Sequence, residues 1–182
     1  MPQGESDDQR QFREYFTARH DAVRRTAYVL CGDWHWADDL TQNAFIRLAA
    51  GWRRVRDREA LDGFVRTCLV RAYLSDVKRV WRRRERSVAE PPDVAGPGSA
   101  TDRADGRMTF EAALRTLPPR QRVVLLCRYY QDLDVAETAA TLGCSQGTVK
   151  SQAARGLAKL RDLLGERDDD DSRTTTMLGG RS

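Results

Sequence analysis

From Phe12 onward the apolar residues recur at helical spacing. Phe12, Tyr15, Phe16, Val23, Ala27 and Leu30 share one face of a first helix. Gly32 is placed to stop it and Asp33 to cap the next. Trp36, Ala37, Leu40, Ala44, Phe45 and Leu48 line a second helix. A polar connection, 53–62, leads to a third and longer one with Phe64, Cys68, Leu69, Ala72, Tyr73, Val77 and Val80 on its apolar face. The period then fails. Residues 87–107 contain Pro91, Pro92, Gly96, Pro97, Gly98 and Gly106, which predicts a flexible linker. It resumes with Phe110, Ala113, Leu114 and Leu117, and Pro118-Pro119 restarts a helix whose inward stretch is Val123 to Cys127. No alternating run of useful length predicts a strand. The expected fold is all-α: two small helical domains, 11–86 and 108–164, joined by the linker. A tail, 165–182, follows; its acids, Asp168 to Asp171, and threonines, Thr174 to Thr176, predict disorder.

Within the second domain the local signals are specific. Asp134 and Glu137 have capping-box spacing, opening a short helix with Val135, Ala136, Ala139, Ala140 and Leu142. Gly143-Cys144 makes a tight turn, and Ser145 caps a second helix through Val149, Ala153, Leu157 and Leu160. That is the helix-turn-helix pattern. From Ser145 to Arg161 the second helix has Lys150, Arg155, Lys159 and Arg161 and no acid. A recognition helix presents its N-terminal residues to base edges in the major groove. There Lys and Arg pair with guanine acceptors, Gln152 with adenine, and Thr148 and Ser151 reach phosphates. An ordinary helical hairpin with a solvated basic face shares the periodicity; the cap, the glycine turn and the absence of acids favour DNA.

A second DNA-directed feature closes the first domain. Arg71, Lys78, Arg79, Arg82, Arg83, Arg84 and Arg86 crowd the end of the third helix against only Asp76 and Glu85, with Trp81 inside the run and Tyr73 before it. Basic groups neutralise phosphates, and aromatic rings stack on unpaired bases, a combination suited to holding a separated strand. A solvated basic helix end, favoured by its own dipole, is the plainer alternative.

Composition narrows the classes. The 182 residues carry a net charge of +4, and 28 of the 31 basic residues are arginine. Neither a secretory signal nor a membrane-length apolar run is seen, which predicts a cytoplasmic protein without membrane insertion. Cys31, Cys68, Cys127 and Cys144 are scattered without a C-x-x-C pair, and the expected role is small buried side chains rather than metal ligands. With two histidines and no Gly-rich phosphate loop, no catalytic residues, cofactor or metal are expected. The acidic run from Glu166 to Asp171 reads as a solubilising tail, with a fold-back DNA mimic as the other reading.

The segment Ala37-Asp38-Asp39-Leu40-Thr41-Gln42-Asn43-Ala44-Phe45 resembles region 2.2 of extracytoplasmic-function sigma factors, with the pattern A-[ED]-D-L-[VT]-Q-[ED]-x-F; Asn43 stands where that family has an acid. The stretch from Arg66 to Ser75 is similar to regions 2.3 and 2.4, with Arg71-Ala72 where an asparagine is usual. Leu117-Pro118-Pro119-Arg120-Gln121-Arg122 and Gly147-Thr148-Val149-Lys150-Ser151-Gln152 resemble region 4, and the run from Lys150 to Arg161 is similar to a sigma-E-like actinobacterial subgroup. The resemblance implies a non-enzymatic subunit that brings core RNA polymerase to promoters. Asp38, Asp39, Leu40, Gln42, Asn43 and Phe45 would meet the β′ coiled coil, with further contact to the β subunit. Arg71, Tyr73, Lys78, Arg79, Trp81, Arg82 and Arg83 would serve the −10 element. Arg120, Thr148, Lys150, Ser151, Gln152, Arg155 and Lys159 would serve the −35 element. It also implies an anti-sigma partner. The rival reading is a helix-turn-helix regulator that works without polymerase and binds a palindromic site as a dimer.

Overall fold

The computed structural model describes residues 7–55, 59–86 and 110–177, and within them the fold is all-α. The expected linker, 87–107, lies outside the described residues.

Three helices make the first unit: α1 (Asp7–Cys31), α2 (Trp34–Gly51) and α3 (Glu59–Arg86), with a 3-10 turn at Trp52–Arg54 after α2. The corner between α1 and α2 is built by the two residues the sequence singles out. Gly32 takes φ +73°, where a side chain is strained, and its N–H donates to the Tyr28 carbonyl at 2.7 Å. Asp33 then accepts from the Trp36 N–H at 2.7 Å, satisfying one orphan donor of α2. On α2 the buried residues are Ala37, Leu40, Thr41, Ala44, Phe45 and Leu48, spaced as one stripe. Thr41 sits in that stripe because its hydroxyl donates to the Ala37 carbonyl at 2.7 Å. Leu61, Val65, Leu69 and Tyr73 continue the core along α3 at four-residue intervals. At the other end, Phe12, Tyr15, Phe16, Phe45 and Trp52 form an aromatic cluster; Phe16 and Phe45 meet edge-on with centroids 4.8 Å apart.

The second unit comprises α4 (Phe110–Arg115), α5 (Pro119–Leu125), α6 (Val135–Leu142) and α7 (Gln146–Met177). Pro119 opens α5 at a position where its missing N–H costs nothing. Five consecutive residues, Val123 to Cys127, are buried, so the chain is covered all round from the last turn of α5 onward. It runs into a π-helical stretch, Leu126–Tyr130, whose end is marked by the Gln131 N–H donating to the Leu126 carbonyl. Asp132, at φ +52°, turns the chain out of it. The capping box at Asp134 is complete: Glu137 N–H donates to the Asp134 carboxylate, and Asp134 N–H to that of Glu137. Gly143 ends α6 at φ +63°. Helix α7 runs on past Gly165 to Met177, through the stretch expected to be disordered. The acids there lack an apolar period, but no proline interrupts the backbone ladder.

The two units pack on one another, which the sequence pattern does not announce. One contiguous apolar cluster joins Leu30, Leu40, Leu69, Val70 and Tyr73 of the first to Leu114, Leu117, Leu125 and Leu126 of the second. A smaller cluster, Val124, Ala139 and Val149, seats the helix-turn-helix on α5 within the second unit.

Candidate functional site

Burial of one stripe of α2 turns the opposite stripe outward. Asp38, Asp39, Gln42 and Asn43 are exposed there together with His35 and Ile46. Leu40 and Phe45, expected on the docking surface, are 1% and 3% exposed. They hold α2 in place and leave contact to their polar neighbours. Ile46, 58% exposed, was missed; it lies four residues after Gln42 and eight after Asp38, so helical spacing alone puts it on the same face. Asp38 is engaged by Arg24 of α1 through two hydrogen bonds, the longer 3.0 Å. The guanidinium beside it holds the Asp38 carboxyl below its usual range. Asp39 has no ion-pair partner among the described residues.

Along the last turns of α3, Lys78, Arg79, Trp81, Arg82 and Arg83 are all exposed, Trp81 by 59%. Asp76 restrains this end, accepting from Arg79 at 2.8 Å and from the Trp36 indole N–H at 3.3 Å. Arg71 is exposed further back on the helix. Tyr73 departs from expectation. It is 1% exposed and packs against Trp36, centroids 5.5 Å apart, because four-residue spacing from Leu69 carries it into the core. Its ring is not available to a base, and Trp81 is the accessible aromatic of this run.

In the helix-turn-helix, Ser145 caps α7 through the Thr148 N–H at 3.1 Å. Val149 and Leu160 are buried, with Ala153 and Leu157 packed partly beneath the helix. Gly156 lets α7 approach α5 closely: a Cβ there would stand 2.9 Å from a Leu125 methyl. This inward stripe leaves Gln146, Lys150, Ser151, Arg155 and Lys159 exposed, with Thr148 and Gln152 half-buried at its edge. Thr148 pairs with the Ser145 hydroxyl at 2.9 Å. Arg120 is exposed on the first turn of α5. Thus most of the polar residues expected at the three surfaces sit on open faces together with Trp81, while Leu40, Phe45 and Tyr73 turn inward.

Two family matches fall on the two units. Sigma-70 region 2 covers residues 15–86, and Sigma-70 region 4 covers residues 107–160. The RNA polymerase sigma-E factor of Streptomyces avermitilis is 36% identical over 161 residues, covering 87% of each chain. The chain is an extracytoplasmic-function sigma factor of the sigma-70 family. A further relative, the extracytoplasmic-function sigma factor SigM of Mycobacterium tuberculosis, is 30% identical over 87% of this chain and 79% of its own. Among solved structures, the sigma factor RpoE in complex with the anti-sigma factor NepR from Bartonella quintana shares the fold. Its TM-score is 0.64 at 24% identity, over 85% of this chain and 97% of that one. As a sigma factor the protein binds core polymerase and DNA and directs promoter recognition; it does no covalent chemistry itself. The rival reading, a regulator that works without polymerase, gives way, because it leaves the region 2 match unexplained.

Proposed function

We propose a division of labour among the three faces. The exposed stripe of α2, with Asp38, Asp39, Gln42 and Asn43 and the apolar tip of Ile46, docks on the basic coiled coil of the β′ subunit. Complementary charge sets the register of such a contact and speeds encounter. The basic end of α3 takes the −10 element: Arg71, Lys78, Arg79, Arg82 and Arg83 neutralise phosphates and Trp81 stacks on an extruded base. Opening DNA forfeits about 1.4 kcal/mol of stacking per base-pair step. Each base captured on an aromatic ring offsets roughly 1–3 kcal/mol. Helix α7 enters the −35 major groove with Lys150, Ser151, Gln152 and Arg155, while Arg120, Thr148 and Lys159 fix its register on the backbone. The observation that supports this reading is the exposure of those polar residues as three separate faces.

The same reading includes a contact of the second unit with the β subunit. It also includes an anti-sigma partner, since the related fold of RpoE from Bartonella quintana has been solved with the anti-sigma factor NepR bound. The place of action is the cytoplasm, where polymerase and promoter DNA are. Transcription of genomic DNA by core polymerase, with and without the protein, tests the division of labour when RNA 5′ ends are mapped. New 5′ ends preceded by paired −10 and −35 sequences are expected, with Trp81→Ala lowering open-complex yield and Gln152→Ala altering −35 choice. Ends that share a −10 sequence alone would remove α7 from promoter reading.

A further inference from the structure

Two arginines of the second unit, Arg122 and Arg115, reach the first, and the contacts of Arg115 lead to the α2 face. Arg122 of α5 is part-buried, and its Nη1 donates to the Leu30 carbonyl at the end of α1 at 2.5 Å. Its Nη2 donates to the carbonyls of Arg115 and, at 3.1 Å, Leu117. One cation thus bridges the C-terminal ends of α1 and α4, where the helix dipoles favour positive charge. Arg115 lies over the corner after α1: a Cβ on Gly32 would come 2.5 Å from its Cδ. Its guanidinium stands 5.5 Å from the centroid of Tyr28. Tyr28 stacks on Trp34, centroids 4.0 Å apart and planes within 11°. The guanidinium of Arg24 sits 4.5 Å from the Trp34 centroid, and Arg24 is the residue that holds Asp38. The contacts run without a gap from the second unit to the docking carboxylate: Arg115, Tyr28, Trp34, Arg24, Asp38.

The closed arrangement is not one that reads a promoter. Arg71 of α3 lies beside Gly143 in the turn before α7; a Cβ there would be 3.8 Å from Nη2. The basic end of α3 is only about 10–18 Å further along the same helix at ~1.5 Å per residue. Elements centred about 25 base pairs apart are separated by roughly 85 Å at ~3.4 Å per step. The units must part before both elements are held.

We infer that this column is an interdomain latch governed from the docking face: a basic partner that takes Asp38 from Arg24 loosens the stack on Trp34 and Tyr28 and frees Arg115 with the second unit. The inference rests on the proposed use of Asp38 in docking. Arg24 is oriented over Trp34 by its two bonds to Asp38, and a cation held over an aromatic face is attracted to it. Coupling of this kind is reciprocal, so a released second unit also makes Asp38 easier to take.

The test is energy transfer between dyes at exposed Ala22 of α1 and exposed Ala140 of α6, in the full chain. Wild type is expected to show one high-transfer population. Arg24→Gln and Trp34→Ala, neither of which removes a contact to the second unit, are expected to raise the open-to-closed ratio about fivefold or more. Arg115→Gln is expected to open the protein further. Circular dichroism confirms that each variant keeps its helices. High transfer in Arg24→Gln or Trp34→Ala equal to wild type overturns the coupling, and low transfer in wild type overturns the latch. Core affinity of Asp38→Arg is measured separately: no change there refutes docking through Asp38, while the transfer result still decides whether the column holds the units together.

Discussion

Asp38 and Asp39 are neighbours on α2 with different surroundings. Asp38 is spoken for by Arg24, whereas Asp39 projects without an ion-pair partner among the described residues. Asp39→Arg therefore removes no internal contact and places a positive charge against a basic partner. Core polymerase affinity is expected to fall tenfold or more, about 1.4 kcal/mol, with an unchanged melting temperature. Titration of labelled core measures it, and unchanged affinity would reject this face. On α7, Lys150 is exposed on the open side while its neighbour Val149 is fully buried. Lys150→Ala is expected to cost roughly 1–3 kcal/mol on the matched −35 sequence and little on scrambled DNA. Equal loss on both in a gel-shift titration would make it a phosphate contact only. At this scale the polar residues were legible, because a helical wheel needs only spacing. Tyr73 was misplaced because its aromatic character suggested a base-stacking role, while its position four residues after Leu69 commits it to the core.

At the scale of elements, local chemistry predicts the ends of helices well. Gly32, Asp33, Asp134, Gly143 and Ser145 all act where the sequence put them, because caps and left-handed turns depend on residues within four positions. Asp134→Ala removes the acceptor for the Glu137 N–H and is expected to destabilise the second unit by ~1 kcal/mol, read as a lower denaturant midpoint. Gly156 is a different kind of position, set by a neighbour 31 residues away. Gly156→Leu forces a side chain into Leu125 and is expected to cost about 1–3 kcal/mol, with DNA affinity falling because α7 shifts. Unchanged stability would show that α7 does not seat on α5 at this residue. The π-helical stretch was not legible. It begins inside the buried run from Val123 to Cys127, where the apolar residues are continuous and no period marks the change of hydrogen-bond spacing. The continuation of α7 to Met177 was equally hidden, since the acidic run argues against packing and says little about the backbone ladder.

For the whole molecule, the shared core between the two units carries a titration of its own. Cys31 closes α1 and Cys127 lies in the π-helical stretch; both belong to the one apolar cluster that spans the units. Burial pushes each thiol up to about 11. An unfolded cysteine ionises near 8.5, and each tenfold preference for the thiol is worth about 1.4 kcal/mol. Between these values the native state holds protons that the unfolded chain has lost, so stability falls as pH rises through the window. It is fully present below about pH 8.5 and is lost by about pH 11. Above about pH 10 the half-buried phenol of Tyr15 and the buried phenol of Tyr73, also held protonated, add to the same slope. Thermal melts under reducing conditions are expected to show a steady decline from pH 8.5 to 10, which Cys31→Ala with Cys127→Ala largely abolishes. The same pair is expected to resist alkylation in the native protein, because the thiolate is the reactive form. A wild-type melting temperature that holds flat from pH 8.5 to 10 would mean that both thiols ionise in the native state. Water would then reach both sulfurs in the folded protein, and the burial of Cys31 and Cys127 in the shared cluster would fail.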